Sequence, residues 1–426
     1  MPFFRIVSAR KMKQTKIVMN RHRISYVKLA TIVVFLMSPQ LIQAQWPQWR
    51  GLMRDGFSSE TNLLKAWPAE GPKLLWSSDT IGDGYGSAII MDKIIYIAGT
   101  RDSSEIITAF DLDGKMIWQK KAGKALKDAE GWVAQGSTPT FYKNRLYALT
   151  AAGELACINP NTGALDWAIS VPEKFEGAVG SKIMFCESPL VADDKVILTA
   201  CGKNAALVAL NSSNGETVWT SESLADTANF VSPFLIQGKD KNMVLTNTQN
   251  YYVAVDLNTG KIVWKERGTA TYVPLPYKNQ AYFSGLKDGG KMLSISPDLS
   301  SFNFKWCDSV KINLMGGAVK LDSRIYGTFN NRKGIICIDP ETGTKQVFLS
   351  EVRGANLLAA DGMIYSYEGG NGVVSLLKPT GNNIDVAGSF KVSLGAGANL
   401  AHMSIGNGIL FVRHGKVLMA YDIRQT

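Results

Sequence analysis

The chain has 426 residues, 46 Lys or Arg against 36 Asp or Glu, and three His, for a formal net charge of +10. Eight of the basic residues and none of the acids lie before residue 45, which leaves 38 basic against 36 acidic side chains in the remainder. That near-neutral remainder has no Lys/Arg cluster to track phosphates, so nucleic acid is excluded as a partner, and its two histidines, His402 and His414, exclude a histidine-rich metal centre.

Residues 1–44 have the order of a secretory signal. Arg5, Arg10, Lys11, Lys13, Lys16, Arg21, Arg23 and Lys28 precede the apolar run LATIVVFLM and a cleavage-like SPQLIQA that ends at Ala44. Nine apolar residues are too few to span a bilayer. The long basic region also admits initiation at Met12 or Met19, and an uncleaved anchor is the alternative. No Cys lies near the cleavage position, so a lipoprotein anchor is not indicated. The expectation is a periplasmic or secreted protein with no membrane span after cleavage.

Residues 45–70 form a leader, WPQWRGLMRDGFSSE at its start, and a repeat follows. ACINPNTGALDW at 156–167 recurs as ALNSSNGETVW at 209–219 and AVDLNTGKIVW at 254–264, each with Trp four residues after Gly. AFDLDGKMIW at 109–118 has the same spacing. Weaker copies end at Trp306, Phe348 and near Phe390. From Trp76 the intervals are 42, 49, 52, 45, 42, 42 and 42 residues, a period that signals a propeller or solenoid.

Each unit reads as four short strands. In the second, TPTFY, RLYALT, ELACINP and LDWAISV are broken by Lys143-Asn144, Ala152-Gly153 and Asn161-Thr-Gly163, residue types that supply tight hairpins. The first hairpin is expected again at Met91-Asp92, Asp193-Asp194, Lys278-Asn279, Asp322-Ser323, Asp361-Gly362 and Gly406-Asn407. The last unit stops after AYDIR, before its glycine and tryptophan, and GPKLLW at 71–76 is the missing piece. The predicted fold is therefore all-β: an eight-bladed propeller of four-stranded antiparallel blades over 71–426, closed by the N-terminal strand, with seven blades as the alternative. Trp76, Trp118, Trp167, Trp219, Trp264 and Trp306 are expected to dock each blade on its neighbour.

The repeat resembles the pyrroloquinoline-quinone (PQQ)-like propeller family, whose units carry an A-x-D-x-x-T-G-x-x-x-W motif. The leader resembles that of secreted bacterial members. The family includes quinoprotein alcohol and glucose dehydrogenases and the non-catalytic assembly factor of outer-membrane β-barrels, so the repeat does not choose a function. The resemblance to the dehydrogenases implies a Ca²⁺-binding carboxylate and amide set, an Asp base, a Trp beneath the quinone and, in many members, adjacent cysteines. Here no two cysteines are adjacent, no C-x-x-C-H exists, and the active-site insertions have no counterpart.

Among the five cysteines, Cys186 and Cys201 flank the Asp193-Asp194 turn symmetrically and face each other as a possible disulfide or as two buried thiols; Cys157 and Cys337 hold one repeat position. Asp111-Leu-Asp113-Gly114 is read as a turn rather than a calcium loop. Glu187, beside Ser188-Pro189, is a ligand or base candidate. Aligning inner-strand entrances puts Gln135, Asn229, Asn313, Asn356 and Asn399 at one position, followed three residues on by small groups or His402. These amides either ring a channel mouth, where they suit a sugar, a peptide backbone or water, or close their own loops on nearby backbone. Tyr85, Trp132 and Tyr272 lie near the same entrances. The leader, with Trp46, Trp49, Arg50 and Arg54, is expected across one face of the disk, its arginines meeting acids on blade loops; an exposed partner-binding peptide is the alternative.

The composite expectation is a monomeric, non-catalytic extracytoplasmic scaffold for a protein, carbohydrate or small ligand, without a cofactor. The rival is an enzyme, either a reduced quinoprotein with PQQ and Ca²⁺ or a carbohydrate-active protein using the funnel.

Overall fold

The computed structural model describes residues 45–126, 136–177, 184–269, 274–277, 279–285, 289–309, 316–329, 333–348, 352–381 and 383–425, all within the compact unit Gln43–Thr426. The signal-peptide expectation for residues 1–44 and the site expectations for Trp132, Gln135, Tyr272 and Asn313 lie outside the described residues.

The described residues form eight sheets, each with four consecutive antiparallel strands except at the closure. The inner strands, in blade order, are Ile89–Met91, Thr140–Tyr142, Leu190–Ala192, Phe234–Gln237, Leu275–Tyr277, Val319–Leu321, Ala355–Ala360 and Ser404–Gly406. In the eighth blade Lys73–Ser78 pairs antiparallel with Val417–Asp422, so the N-terminal strand completes the C-terminal sheet and the ring is closed with eight blades, not seven. A single helix, Val171–Phe175, is present among the described residues.

Tight turns join the inner strands to the second strands, and their φ values explain the residues chosen. Asp92-Lys93, Lys143-Asn144, Asp193-Asp194, Asp361-Gly362 and Asn407-Gly408 all hold two consecutive positive φ angles, the backbone a two-residue hairpin needs. The first and last of these turns sit one residue later than the sequence spacing predicts. Met91 and Gly406 are still in the ladder, opposite Ile94 and Ile409.

The core lies between blades. Ile89, Tyr96 and Ala109 of the first blade pack with Leu146, Ala148 and Ala156 of the second, and comparable layers join the later blades. At the rim, Trp118 donates Nε1 to Pro160 O at 2.9 Å, and its ring occupies the space where a Cβ on Gly163 would fall. Trp76, Trp167, Trp219 and Trp306 repeat this on Leu112, Ser212, Leu257 and Pro340 carbonyls and on Gly114, Gly215, Gly260 and Gly343. Those glycines all have φ between 70 and 82°. Trp264 differs. The turn it faces, 296–301, has no glycine, Leu299 takes the positive φ of 59°, and the buried indole Nε1 has no partner among the described residues.

All five cysteines are unbonded thiols. Burial pushes the Cys186 thiol up to about 12 and raises Cys201 as well, with the Glu187 charge adding to both. Cys157 and Cys337 occupy one repeat position in the third strands, opposite Tyr147 and Tyr326.

Candidate functional site: the axial channel

Each inner strand is bonded on one side to its own blade, so its other edge faces the axis with unpaired backbone groups. The leader fills that axis. Trp46 and Ile90 exchange both backbone bonds, Trp46 N to Ile90 O at 2.9 Å and Ile90 N to Trp46 O at 3.0 Å. Phe141 N donates to Pro47 O at 2.7 Å, and Ala359 N donates to Gly56 O at 2.8 Å. Phe57–Ser58 adds a short parallel strand to Ala359 and Ala360.

Between these points two guanidiniums cross to other blades. Arg54 donates Nη1 to Ser188 O at 3.0 Å and to Pro233 O at 2.8 Å, Nη2 to Pro189 O, and Nε to Gln48 Oε1 at 2.9 Å. Arg50 donates Nη1 to Gly316 O at 3.2 Å and Nη2 to Asp55 O at 3.0 Å and to Ala318 O. The leader thus lies inside the ring rather than across a face, and its arginines meet carbonyl oxygens rather than acids. The inner-strand edges offer a ring of unpaired acceptors, and a planar five-donor fork satisfies several at once. Burial pushes Arg54 down to about 9 and Arg50 down to about 10, with Glu187 and Asp55 respectively opposing the shift.

Prolines complete the arrangement. The second, third, fourth and fifth inner strands each begin after Pro139, Pro189, Pro233 or Pro274, which removes a donor from an edge that faces the axis. Just before three of these, hydroxyls link blade to blade: Ser87 N donates to Thr138 Oγ1 at 2.9 Å, Thr138 N to Ser188 Oγ at 3.0 Å, and Ser188 N to Ser232 Oγ at 2.8 Å. The sequence signal for this belt is the Ser/Thr-Pro pair ahead of TPTF, SPLV and SPFL, which the amide alignment passed over.

The candidate amides do not form one ring in the described residues. Asn229 lies eight and Asn399 seven residues before the end of the inner strand, whereas Asn356 lies four before it, at the position of Ser87. Asn356 Nδ2 donates to Leu400 O at 2.9 Å and Ala401 O at 3.0 Å. Asn399 Oδ1 accepts from Tyr367 Oη at 2.6 Å, and Asn229 Nδ2 donates to Asn247 Oδ1 at 3.3 Å. The structure brings Asn356 and Asn399 together between the seventh and eighth blades and holds Asn229 in the fourth. His402 stacks edge-on against Trp49 of the leader, ring centroids 5.1 Å apart. Tyr85 is half-buried near Arg413.

Arg413, which sequence reading missed inside the apolar run GILFVRHG, is a third buried guanidinium. It donates to Gly415 O, Gly86 O, Ala98 O and Gly82 O at 2.6–3.0 Å and thereby ties the eighth blade to the first.

Glu187 is buried beside the leader. Its Oε1 accepts from Thr199 N at 2.7 Å, while Oε2 has no partner among the described residues. Burial raises the carboxyl to about 7, with Thr199 and the Arg54 charge pulling the other way. Glu105, accepting from Ala151 N at 2.8 Å, is likewise raised by burial to about 7.

A Ca²⁺-bound quinone does not fit the channel at the depth of the inner strands. Ca²⁺ takes six to eight oxygen ligands, and the carbonyls of Ser188, Pro189, Pro233, Gly316 and Ala318 that could provide them point at guanidiniums.

Fold and channel together define an eight-bladed propeller of the PQQ-repeat class. The sequence model of the family described as outer membrane protein assembly factor BamB matches residues 56–266 and 103–346, more than half of the chain, and the protein belongs to that family. Solved structures similar to it include BamB from Moraxella catarrhalis, at 17% identity and a TM-score of 0.57 over 83% of this chain and 98% of that one. The quinohemoprotein alcohol dehydrogenase ADHIIG from Pseudomonas putida HK5 is similar at 11% identity and a TM-score of 0.60, over 90% and 80%. The computationally designed protein Ika8 is similar at 11% identity and 0.59, over 82% and 100%. At these identities the likeness is one of fold. A comparison with curated proteins finds no match.

Proposed function

We propose that the protein is a non-catalytic extracytoplasmic scaffold that offers one face of its ring to a protein partner, as an outer membrane protein assembly factor would. The observation that carries this reading is the occupied axis. In a propeller the central funnel is the natural place for a small ligand, and here Trp46, Arg50 and Arg54 fill it with side chains that are themselves buried. Recognition then falls to described residues that flank the inner-strand entrances. Leu126, Phe230 and Leu394 are large apolar residues exposed near three inner-strand entrances, between blades one and two, three and four, and seven and eight, and supply apolar area for a protein contact. The basic and apolar order of residues 1–44 supports export. No helix among the described residues is long and apolar enough to cross a membrane.

The test has two arms. Deleting the gene in its bacterial host should lower the amount of folded β-barrel protein in the outer membrane, and wild-type protein, but not a Leu126→Asp/Phe230→Asp/Leu394→Asp variant of equal thermal stability, should restore it. In the second arm the purified protein is titrated with pyrroloquinoline quinone and Ca²⁺. A saturable, Ca²⁺-dependent absorbance change would sink the scaffold reading in favour of a quinoprotein.

A further inference from the structure

The leader has the marks of a bound peptide more than of a structural strand. Every blade already has four strands without it, and the leader adds pairings to edges that those sheets leave open, with the Trp46 ring inserted among buried apolar side chains. Its loop tip is not built into the core: Leu52 and Met53 are 65% and 55% exposed, and Phe57 is 41% exposed. What the ring does take in is a defined set of groups: the Trp46 ring, the two guanidiniums and the backbone at Trp46, Pro47 and Gly56.

The fit is specific on both sides. Arg50 and Arg54 hold positive φ angles of 60 and 57°, and with Gly51 and Gly56 they fold the loop so that the two guanidiniums reach different blades. On the ring side a Cβ at Gly317 would fall 2.8 Å from Arg50 Nη1, so the sixth blade is open where that guanidinium passes. Arg54 meets three carbonyls from the third and fourth blades, with the Glu187 carboxyl as the nearest opposing charge. Main-chain bonds at a sheet edge combined with side-chain anchors in pockets is the chemistry of strand-addition peptide recognition.

We propose that the axial channel is a peptide-binding site, filled in cis by residues 46–58, and that its ligand class is a looped segment bearing Trp-Pro followed by two arginines four residues apart. The proposal rests on the same occupied axis as the scaffold reading and adds that the occupant is exchangeable, which would make the ring a receptor whose own chain is its resident ligand.

The experiment keeps the full chain. A protease sequence is inserted between Thr61 and Asn62, both exposed, so that Leu63 to Trp67 stay tied to the ring after cutting. The folded protein is cut, and exchange of the N-terminal fragment against a fluorescein-labelled peptide of residues 45–61 is followed by anisotropy, with far-UV circular dichroism reporting the ring. The expected result is saturable exchange on a ring that stays folded, and competition by an Arg54→Ala peptide at least about 30-fold weaker, the loss typical of a buried arginine anchor. Three outcomes would overturn the proposal. The ring unfolds once the fragment leaves, which makes the leader core structure; the ring stays folded without taking up peptide; or a peptide with both arginines replaced by alanine competes as well as the parent.

Discussion

The rim and the axis of this ring both join blade to blade, and they do so with opposite chemistry. At the rim one device recurs: an indole N–H donated to the next blade's turn, over a glycine that has no Cβ to obstruct it, at Trp76, Trp118, Trp167, Trp219 and Trp306. At the axis the hydroxyl belt from Ser87 to Ser232 repeats over three joints only, and other links are made once. Arg50 and Arg54 there, and Arg413 between the eighth and first blades, each gather carbonyls from places their sequence neighbours do not indicate. A repeated interface is solved once per blade, while the centre of the ring exists once and is closed by single residues.

That contrast sets the order of expected effects. Arg54→Ala should be the most damaging substitution, because it takes the guanidinium donor from the carbonyls of Ser188, Pro189 and Pro233 and removes the positive charge that opposes the buried Glu187 carboxyl. A loss of about 3–5 kcal/mol is expected in urea denaturation, and a loss no larger than that of an exposed Lys→Ala control would mean the axis carries no load.

Next comes the pH dependence. Burial raises Glu187 to about 7, above its ordinary 4.5, so the folded protein holds that proton more tightly than the unfolded chain. The resulting stabilisation is complete below about pH 4.5 and is lost as the pH rises through about 7. One group shifted this far contributes at most about 3 kcal/mol over that window. Glu187→Gln should flatten the fall in stability between pH 5 and 8, and Glu105→Gln, whose carboxyl is raised to a similar value, should remove a further share. Parallel melting-temperature profiles for wild type and Glu187→Gln would refute the assignment.

At the rim, Gly260→Ala forces a side chain into a φ of 72° with its Cβ 2.4 Å from the Trp219 ring. The expected cost is about 1–3 kcal/mol, whereas Gly381→Ala, whose Cβ meets nothing, should show only the strain of its φ of 59°. The smallest effect discriminates most finely. Trp219→Phe removes an indole bond of 2.9 Å to Leu257 O and should cost about 1 kcal/mol more than Trp264→Phe, whose Nε1 has no partner among the described residues. Equal costs at the two positions would show that the indole bond contributes nothing to blade joining.

What could be read in advance follows the same division. The period of forty to fifty residues, the four-strand unit and the strand that closes the ring were legible because each is stated several times in the chain, and Lys73–Ser78 does pair where the truncated last repeat leaves a gap. The amide alignment was less secure. Asn356 resembles Asn229 and Asn399 in local sequence but lies inside its strand, where they precede theirs, because the seventh inner strand starts earlier, at Ala355. Ser87, Thr138, Ser188 and Ser232 were written in plain view as Ser/Thr ahead of short apolar strands, and only the contact between blades shows what their oxygens accept.

By itself the sequence determined a repeating all-β architecture, its closure by the N-terminal strand, and the positions of the tryptophans and turn glycines, because short-range patterning and periodicity carry that information. Only the tertiary structure decided where the leader goes. Arg50 and Arg54 meet carbonyls 134 to 268 residues away in the chain, and a backbone carbonyl leaves no trace in the residue type that bears it. The physical reason is general: an arginine's need for acceptors is written in the sequence, but the unpaired edges that satisfy it come into being only when eight sheets close around an axis.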